Sequence, residues 1–245
     1  MTRVPAALPA QTVRWHVFSD DGALLAEALA RVLAAARGAI AQHGAFDIVL
    51  AGGNTPRKLY RALRKADADW SRWHVWFGDE RCAPPDDPER NSKMARDEWL
   101  DHVAIPVRNM HAIPAESGAR EAAALYAREL RGVDTFDLVL LGLGEDGHTA
   151  SLFPGHDWGV HADSPAAIAV FNAPKPPPER VSLSAQRLSN ARHVLYLVEG
   201  AGKRDAVAAW QRGDAIPAAS VTPEAGVDVL LDAAAAETPT TPAAS

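Results

Sequence analysis

The chain carries a single cysteine, Cys82, in 245 residues, so an intrachain disulfide is impossible and a four-cysteine zinc site is excluded. A reducing compartment is the expected setting. No stretch approaches the ~18 consecutive apolar residues of a membrane-spanning helix, and Met1-Thr2-Arg3-Val4-Pro5 leads into no uninterrupted apolar segment with a cleavage site. The expectation is a cytoplasmic protein with no membrane partner. Runs of five or more basic residues are also missing and the net charge is −6, which argues against nucleic acid as a partner. Histidines and acids at zinc-ligand spacing are missing too, since His148 with His156 is too thin a basis for a metal site. Hydrophobic residues make up 47% and charged residues 23%, the balance of a globular protein rather than a disordered or fibrous one. The length suits one large α/β domain.

Apolar runs alternate with helical periodicity along the chain. Val13 to Phe18 reads as a strand, after which Ser19 or Asp20 is placed to cap a helix carrying Leu25, Leu29, Val32, Ala36 and Ile40 at helical spacing. Further strands are expected at Phe46 to Leu50, Val75 to Phe77, Asp137 to Leu141, Ala167 to Phe171, Val194 to Val198 and Val227 to Leu231. Helices are expected at Thr55 to Leu63, Ser92 to Leu100, Ser117 to about Leu130 and Lys203 to Trp210. The alternation predicts a three-layer αβα fold around a mostly parallel sheet in a single domain over residues 13–232. Residues 233–245 close in small, polar and proline-bearing residues and are expected to form a flexible tail.

Chemistry-bearing residues cluster where strands end. Ala51-Gly52-Gly53-Asn54-Thr55-Pro56 follows a strand and opens a helix, with Thr55 placed as N-cap and Pro56 at the first helical position. Backbone N–H groups and a helix N-terminus suit an anion there, although a tight βα turn without a ligand fits the same letters. Gly78-Asp79-Glu80-Arg81 places two acids and a guanidinium after another strand, either as a functional group or as a charged turn. Gly142-x-Gly144-x-x-Gly147 matches a dinucleotide fingerprint by letter only. Pro154, Gly155 and Gly159 interrupt the helix that such a motif requires. His148 is better read as an acid–base group, because an imidazole titrates near neutral pH, although a histidine after a strand is more often structural and only its strand-end place and charged neighbours point to a site. Asp146 stands ready to orient it or to bind a hydroxyl. The proline-rich segment 174–178 stiffens a loop that presents Lys175 and Arg180. Lys203 begins a helix, where a cation is disfavoured by the helix dipole unless it holds an anion, although a solvated surface lysine is the commoner reading of that position alone.

Five motifs in order resemble the 6-phosphogluconolactonases, of the sugar-phosphate isomerase superfamily that also contains glucosamine-6-phosphate deaminase. Their carriers are Gly52-Gly53-Asn54-Thr55-Pro56, Gly78-Asp79-Glu80-Arg81 with Asn91-Ser92, the run from Gly142 to Pro154, Pro174 to Leu183, and Gly202-Lys203. Deaminases resemble Asp-Glu-Tyr where this chain has Asp79-Glu80-Arg81, and carry a Glu at the position of Phe153. The resemblance implies a modified Rossmann-like fold that hydrolyses 6-phosphoglucono-1,5-lactone in the oxidative pentose phosphate pathway, with no metal or organic cofactor. By the same resemblance Gly52, Gly53, Asn54, Thr55, Arg180 and Lys203 bind the substrate phosphate. His148, Asp146, Arg81 and Asp79 are the implied catalytic group, with His148 activating water and Arg81 facing the oxyanion. A small-molecule sugar-phosphate lactone is the implied partner, handled by a monomer or small homo-oligomer. A deaminase/isomerase and a non-catalytic sugar-phosphate sensor are the competing readings.

Overall fold

The computed structural model describes residues 10–236. In chain order it contains β1 (Val13–Phe18), α1 (Asp21–His43), β2 (Phe46–Leu50), α2 (Asn54–Leu63), β3 (Trp73–Phe77), β4 (Asp79–Arg81), α3 (Asn91–Glu98), β5 (Met110–His111), α4 (Ala119–Glu129), β6 (Phe136–Gly142), β7 (Ala167–Val170), β8 (Arg180–Leu183), α5 (Ala185–Ser189), β9 (Ala191–Val198), α6 (Arg204–Gln211), β10 (Val227–Asp232) and α7 (Ala233–Ala236). Seven strands in the order β1-β10-β9-β6-β2-β3-β5 form one parallel sheet flanked by helices. Strands covered on both faces read as continuous apolar runs, which is why Phe136-Asp137-Leu138-Val139-Leu140-Leu141 is buried throughout. Its one acid is partnered: Asp137 accepts from the Asp47 amide at 2.9 Å and lies 2.9 Å from His43 Nε2.

Local chemistry sets the boundaries. Asp20 caps α1 by accepting from the Ala23 amide at 2.9 Å. Gly44 ends that helix at φ 86°, donating to Ile40 O. The α4 helix starts at Ala119, two residues later than predicted, with Gly118 as its N-cap, because Ser117 closes a preceding 3-10 turn and its hydroxyl donates to Pro114 O.

Two expectations are corrected. The strand at 167–171 forms as β7, but it pairs with β8 in a separate antiparallel sheet of order β4-β8-β7. Asp79–Arg81, a charged turn by its letters, is the third strand of that sheet, with Asp79, Glu80 and Arg81 opposite Ser182, Val181 and Arg180. The C-terminal segment is described only in its first part. Its first four residues form α7, held by a 2.8 Å bond from the Ala235 amide to Asp232. Residues 237–245 lie outside the described residues.

Candidate active site

The sheet order fixes where a ligand fits. From the neighbouring pair β2 and β6 the chain moves outward in opposite directions, through β3 and β5 on one side and β9 and β10 on the other. Open α/β sheets leave a crevice beyond the strand C-termini at such a switch point. A cleft of about 360 Å³ occupies it, walled by the loops after β2, β3 and β6 and by β8.

The loop after β2 supplies the glycines. Gly53, at φ 104°, is the N-cap of α2, so the helix starts at Asn54 rather than at Thr55, and Pro56 is its third residue. Thr55 is therefore not the cap: glycine reaches this backbone conformation freely, and no side chain bonds the first helical amides. Those amides are left for an anion. At Gly52 a Cβ would lie 2.0 Å from Asn91 Oδ1, so this loop and α3 are in direct contact only because residue 52 has no side chain.

The antiparallel sheet places the acids and arginines. Glu80 is fully buried and structural, accepting from the amides of Asn91 (2.7 Å) and Ser92 (2.8 Å) with Arg90 Nε at 3.2 Å. Its charge meets the N-terminus of α3, where a carboxylate is favoured. Neighbouring Asp79 points the other way in the pleat and accepts from Ser151 Oγ at 2.6 Å and Asn91 Nδ2 at 3.0 Å. Arg81 donates through Nη1 to Glu89 O and, at 3.0 Å, to Asn91 Oδ1. Its buried Nε has no hydrogen-bond partner among the described residues.

The turn after β6 supplies the imidazole. His148 Nδ1 lies 2.5 Å from Asp146 Oδ1. Because a carboxylate only accepts, Nδ1 carries the proton and Nε2 is the basic nitrogen. Against the upward push of partial burial, the bonds from His148 hold the Asp146 carboxyl below its usual range. The ring lies flat on Gly144, where a Cβ would stand 2.0 Å from Nδ1. Phe153 packs on the ring at 4.8 Å between centroids. The next regular element is β7 and not a helix, which removes the dinucleotide reading of the glycines.

Two cations are desolvated without a carboxylate bonded to them. Arg180 is 5% exposed, donates only to the carbonyls of Lys175, Pro176 and Pro177, and stacks over Phe153 at 5.5 Å. It lies directly across from Arg81 in the ladder, a like-charge pairing that is unfavourable without an intervening anion. Burial pushes both Arg180 and Lys203 below their usual ranges, with Asp79 and Glu145 respectively offsetting part of that push.

The cleft thus gathers Gly52, Gly53, Asp79, Arg81, His148, Arg180 and Lys203. Asn54 and Thr55 face an adjoining hollow of about 490 Å³ that shares Gly52, Gly53 and Lys203, and Asp146 stands behind the imidazole. Sequence reasoning left Ser151, Phe153 and Asn91 without roles, because their partners come from other loops. A larger hollow of about 520 Å³ lies at the opposite ends of the strands. Arg14 and Arg31 there are paired with Asp228 and Arg192 with Asp137, so its cations are already neutralised.

Free helix-N-terminal amides, a histidine–aspartate pair and cations without a bonded carboxylate meet at the switch point of this α/β protein, chemistry that suits a small anionic ligand. The chain belongs to the glucosamine-6-phosphate isomerase/6-phosphogluconolactonase family, whose model matches residues 19–230. It is 40% identical to the 6-phosphogluconolactonase of Mycobacterium leprae over 225 residues, covering 86% of this chain and 90% of that one. Identity to the 6-phosphogluconolactonase of Nostoc sp. is 38%, covering 90% and 95% of the two chains. The solved structure of Trypanosoma brucei 6-phosphogluconolactonase superposes with a TM-score of 0.84 at 27% identity, covering 93% of this chain and 98% of that one.

Proposed function

We propose that this protein hydrolyses 6-phospho-D-glucono-1,5-lactone to 6-phospho-D-gluconate, the lactonase step of the oxidative pentose phosphate pathway, in the cytoplasm. The observation that carries the reading is the His148–Asp146 pair whose imidazole shares one cleft with the buried Arg180 and the half-buried Lys203, neither bonded to a carboxylate. The substrate phosphate rests on the backbone of Gly52, Gly53 and Asn54, on Thr55, and on Arg180 and Lys203. That handle supplies binding energy and orientation at a distance from the reacting carbon.

In the chemical step His148 Nε2 takes a proton from water as the water oxygen bonds to C1 of the lactone. The carbonyl π electrons move onto oxygen, where the Arg81 guanidinium offsets the charge. Collapse restores the C=O bond and breaks the bond from C1 to the ring oxygen, which receives the proton from His148. Asp146 holds the imidazole in the required tautomer and stabilises its cationic form. An activated ester needs one base, one water and oxyanion stabilisation, and these side chains supply them.

The test is proton release when the protein is added to freshly generated lactone, scored above spontaneous hydrolysis. Catalysed release supports the proposal. No acceleration by folded protein overturns it, and ammonia release from glucosamine 6-phosphate would then support the deaminase reading. Phe153, 1% exposed between His148 and Arg180, provides no second carboxylate for that chemistry.

A further inference from the structure

We propose that Asn91 is a positioning residue of this site: its side-chain amide locks the Arg81 guanidinium and the Asp79 carboxylate together against the phosphate-binding loop. The inference rests on the lactonase reading and adds a residue that it does not assign. Asn91 is 3% exposed and opens α3. Both amide donors go to Asp79, one to its backbone oxygen at 2.9 Å and one to Oδ1 at 3.0 Å. The amide oxygen accepts from Arg81 Nη1 at 3.0 Å and presses on Gly52, leaving no space for a Cβ.

The amide orientation follows from its neighbours. Asp79 presents only acceptors and Arg81 only donors, so Nδ2 must face the acid and Oδ1 the guanidinium. Aspartate at 91 would set a carboxylate against Asp79, and leucine would satisfy neither partner. With Nη1 held by Asn91 and Glu89, the Nη2 edge of Arg81, whose amino group bonds none of the described residues, is left as the donor edge. Such an edge suits an oxygen gaining charge at C1. Glu80 fixes the Asn91 backbone amide in turn. The acid–guanidinium pair and the phosphate loop are therefore referenced to one side chain.

A kinetic cycle tests this. The wild-type enzyme, Asn91→Leu, Arg81→Ala and the double variant are compared for kcat on the lactone and for Kd of 6-phosphogluconate. Acting through Arg81, Asn91→Leu should lower kcat about 100-fold, the scale of losing one oxyanion donor, and change Kd less than about threefold. Added to Arg81→Ala, the same substitution should lower kcat less than about threefold, because residues acting as a unit are not additive. Losses that multiply in the double variant, or an unchanged kcat in Asn91→Leu, overturn the proposal. Should Asn91→Leu fail to fold, Asn91→Asp keeps the shape and is predicted to lose kcat by displacing Asp79. Wild-type kcat in that variant overturns the proposal equally. Failure of the wild-type protein to hydrolyse the lactone needs no variant, and it overturns the lactonase reading together with this one.

Discussion

Gly144 and His148 constrain each other, since a methyl group at 144 would stand 2.0 Å from the imidazole nitrogen. Gly144→Ala must therefore push the ring away from Asp146. A displacement near 1 Å costs about 10²-fold in rate, so kcat should fall by that order while the melting temperature stays close to wild type. A wild-type kcat would show that the ring has another resting place. Lys203 gives a pH prediction. Burial first, and Lys175 nearby, lower its pKa against the pull of Glu145 and Asp146. Only the protonated ammonium attracts phosphate, so its contribution is complete below that lowered value and is lost as pH rises through it. Calorimetric Kd for 6-phosphogluconate should accordingly weaken with rising pH before the ordinary lysine range near ~10.4 is reached. In Lys203→Ala it should be weaker at neutral pH, with that pH dependence gone. A wild-type Kd that stays flat up to the ordinary lysine range would remove Lys203 from the phosphate site.

At the scale of elements, Glu80 joins β4 to α3 by accepting two amides at the helix N-terminus and facing the 3%-exposed Arg90. Glu80→Ala leaves the buried Arg90 guanidinium with only the more exposed Glu116, at 3.1 Å, as counter-charge and two helical amides unbonded. The cost should be about 3–5 kcal/mol, read as a lower urea midpoint, and a loss below 1 kcal/mol would contradict this account. The same clamp shows what was legible in the sequence. Parallel strands such as Phe46–Leu50 and Val13–Phe18 match prediction to the residue, the first because its mostly apolar run is buried on both faces and the second, at the sheet edge, because β-branched and aromatic residues mark it despite Arg14 and His16. The antiparallel sheet announced itself much less, because β4 is three charged residues whose strand geometry comes from pairing with β8, about 100 residues away. Site residues at strand ends were legible by type and place: Gly52, Arg81, His148 and Lys203 all reach the cleft. The Asn91, Ser151 and Asp79 network was not, since it joins β4, the first residue of α3 and the turn after β6 and carries no periodic signature.

Across the whole molecule, the two ends of the sheet divide stability from chemistry. At the N-terminal ends of the strands, Asp228 receives Arg14 at 2.7 Å, His16 at 2.7 Å and Arg31 at 3.1 Å, tying β10 to β1 and α1. Burial pushes its carboxyl up, yet the bonds from Arg14 and His16 and the nearby charges hold it well below the usual range. A carboxylate depressed on folding contributes stability that is complete above its unfolded value near ~3.9, and loses it as pH falls through the folded value. Asp228→Asn should lower the melting temperature at pH 7, and the gap to wild type should begin to narrow as pH falls below about 4 and go on narrowing toward the depressed folded value. A gap that stays constant down to pH 2 would assign the effect to packing alone. At the C-terminal ends, Arg180 and Lys203 lie without a bonded carboxylate in the cleft of His148, the proposed base. The account depends most on that base. The most direct measurement is kcat for His148→Ala on 6-phosphogluconolactone, with Kd for 6-phosphogluconate measured on the same preparation. Removal of the general base predicts a fall in kcat of about 10²–10⁴-fold with Kd within about threefold. A turnover number equal to wild type would contradict the mechanism.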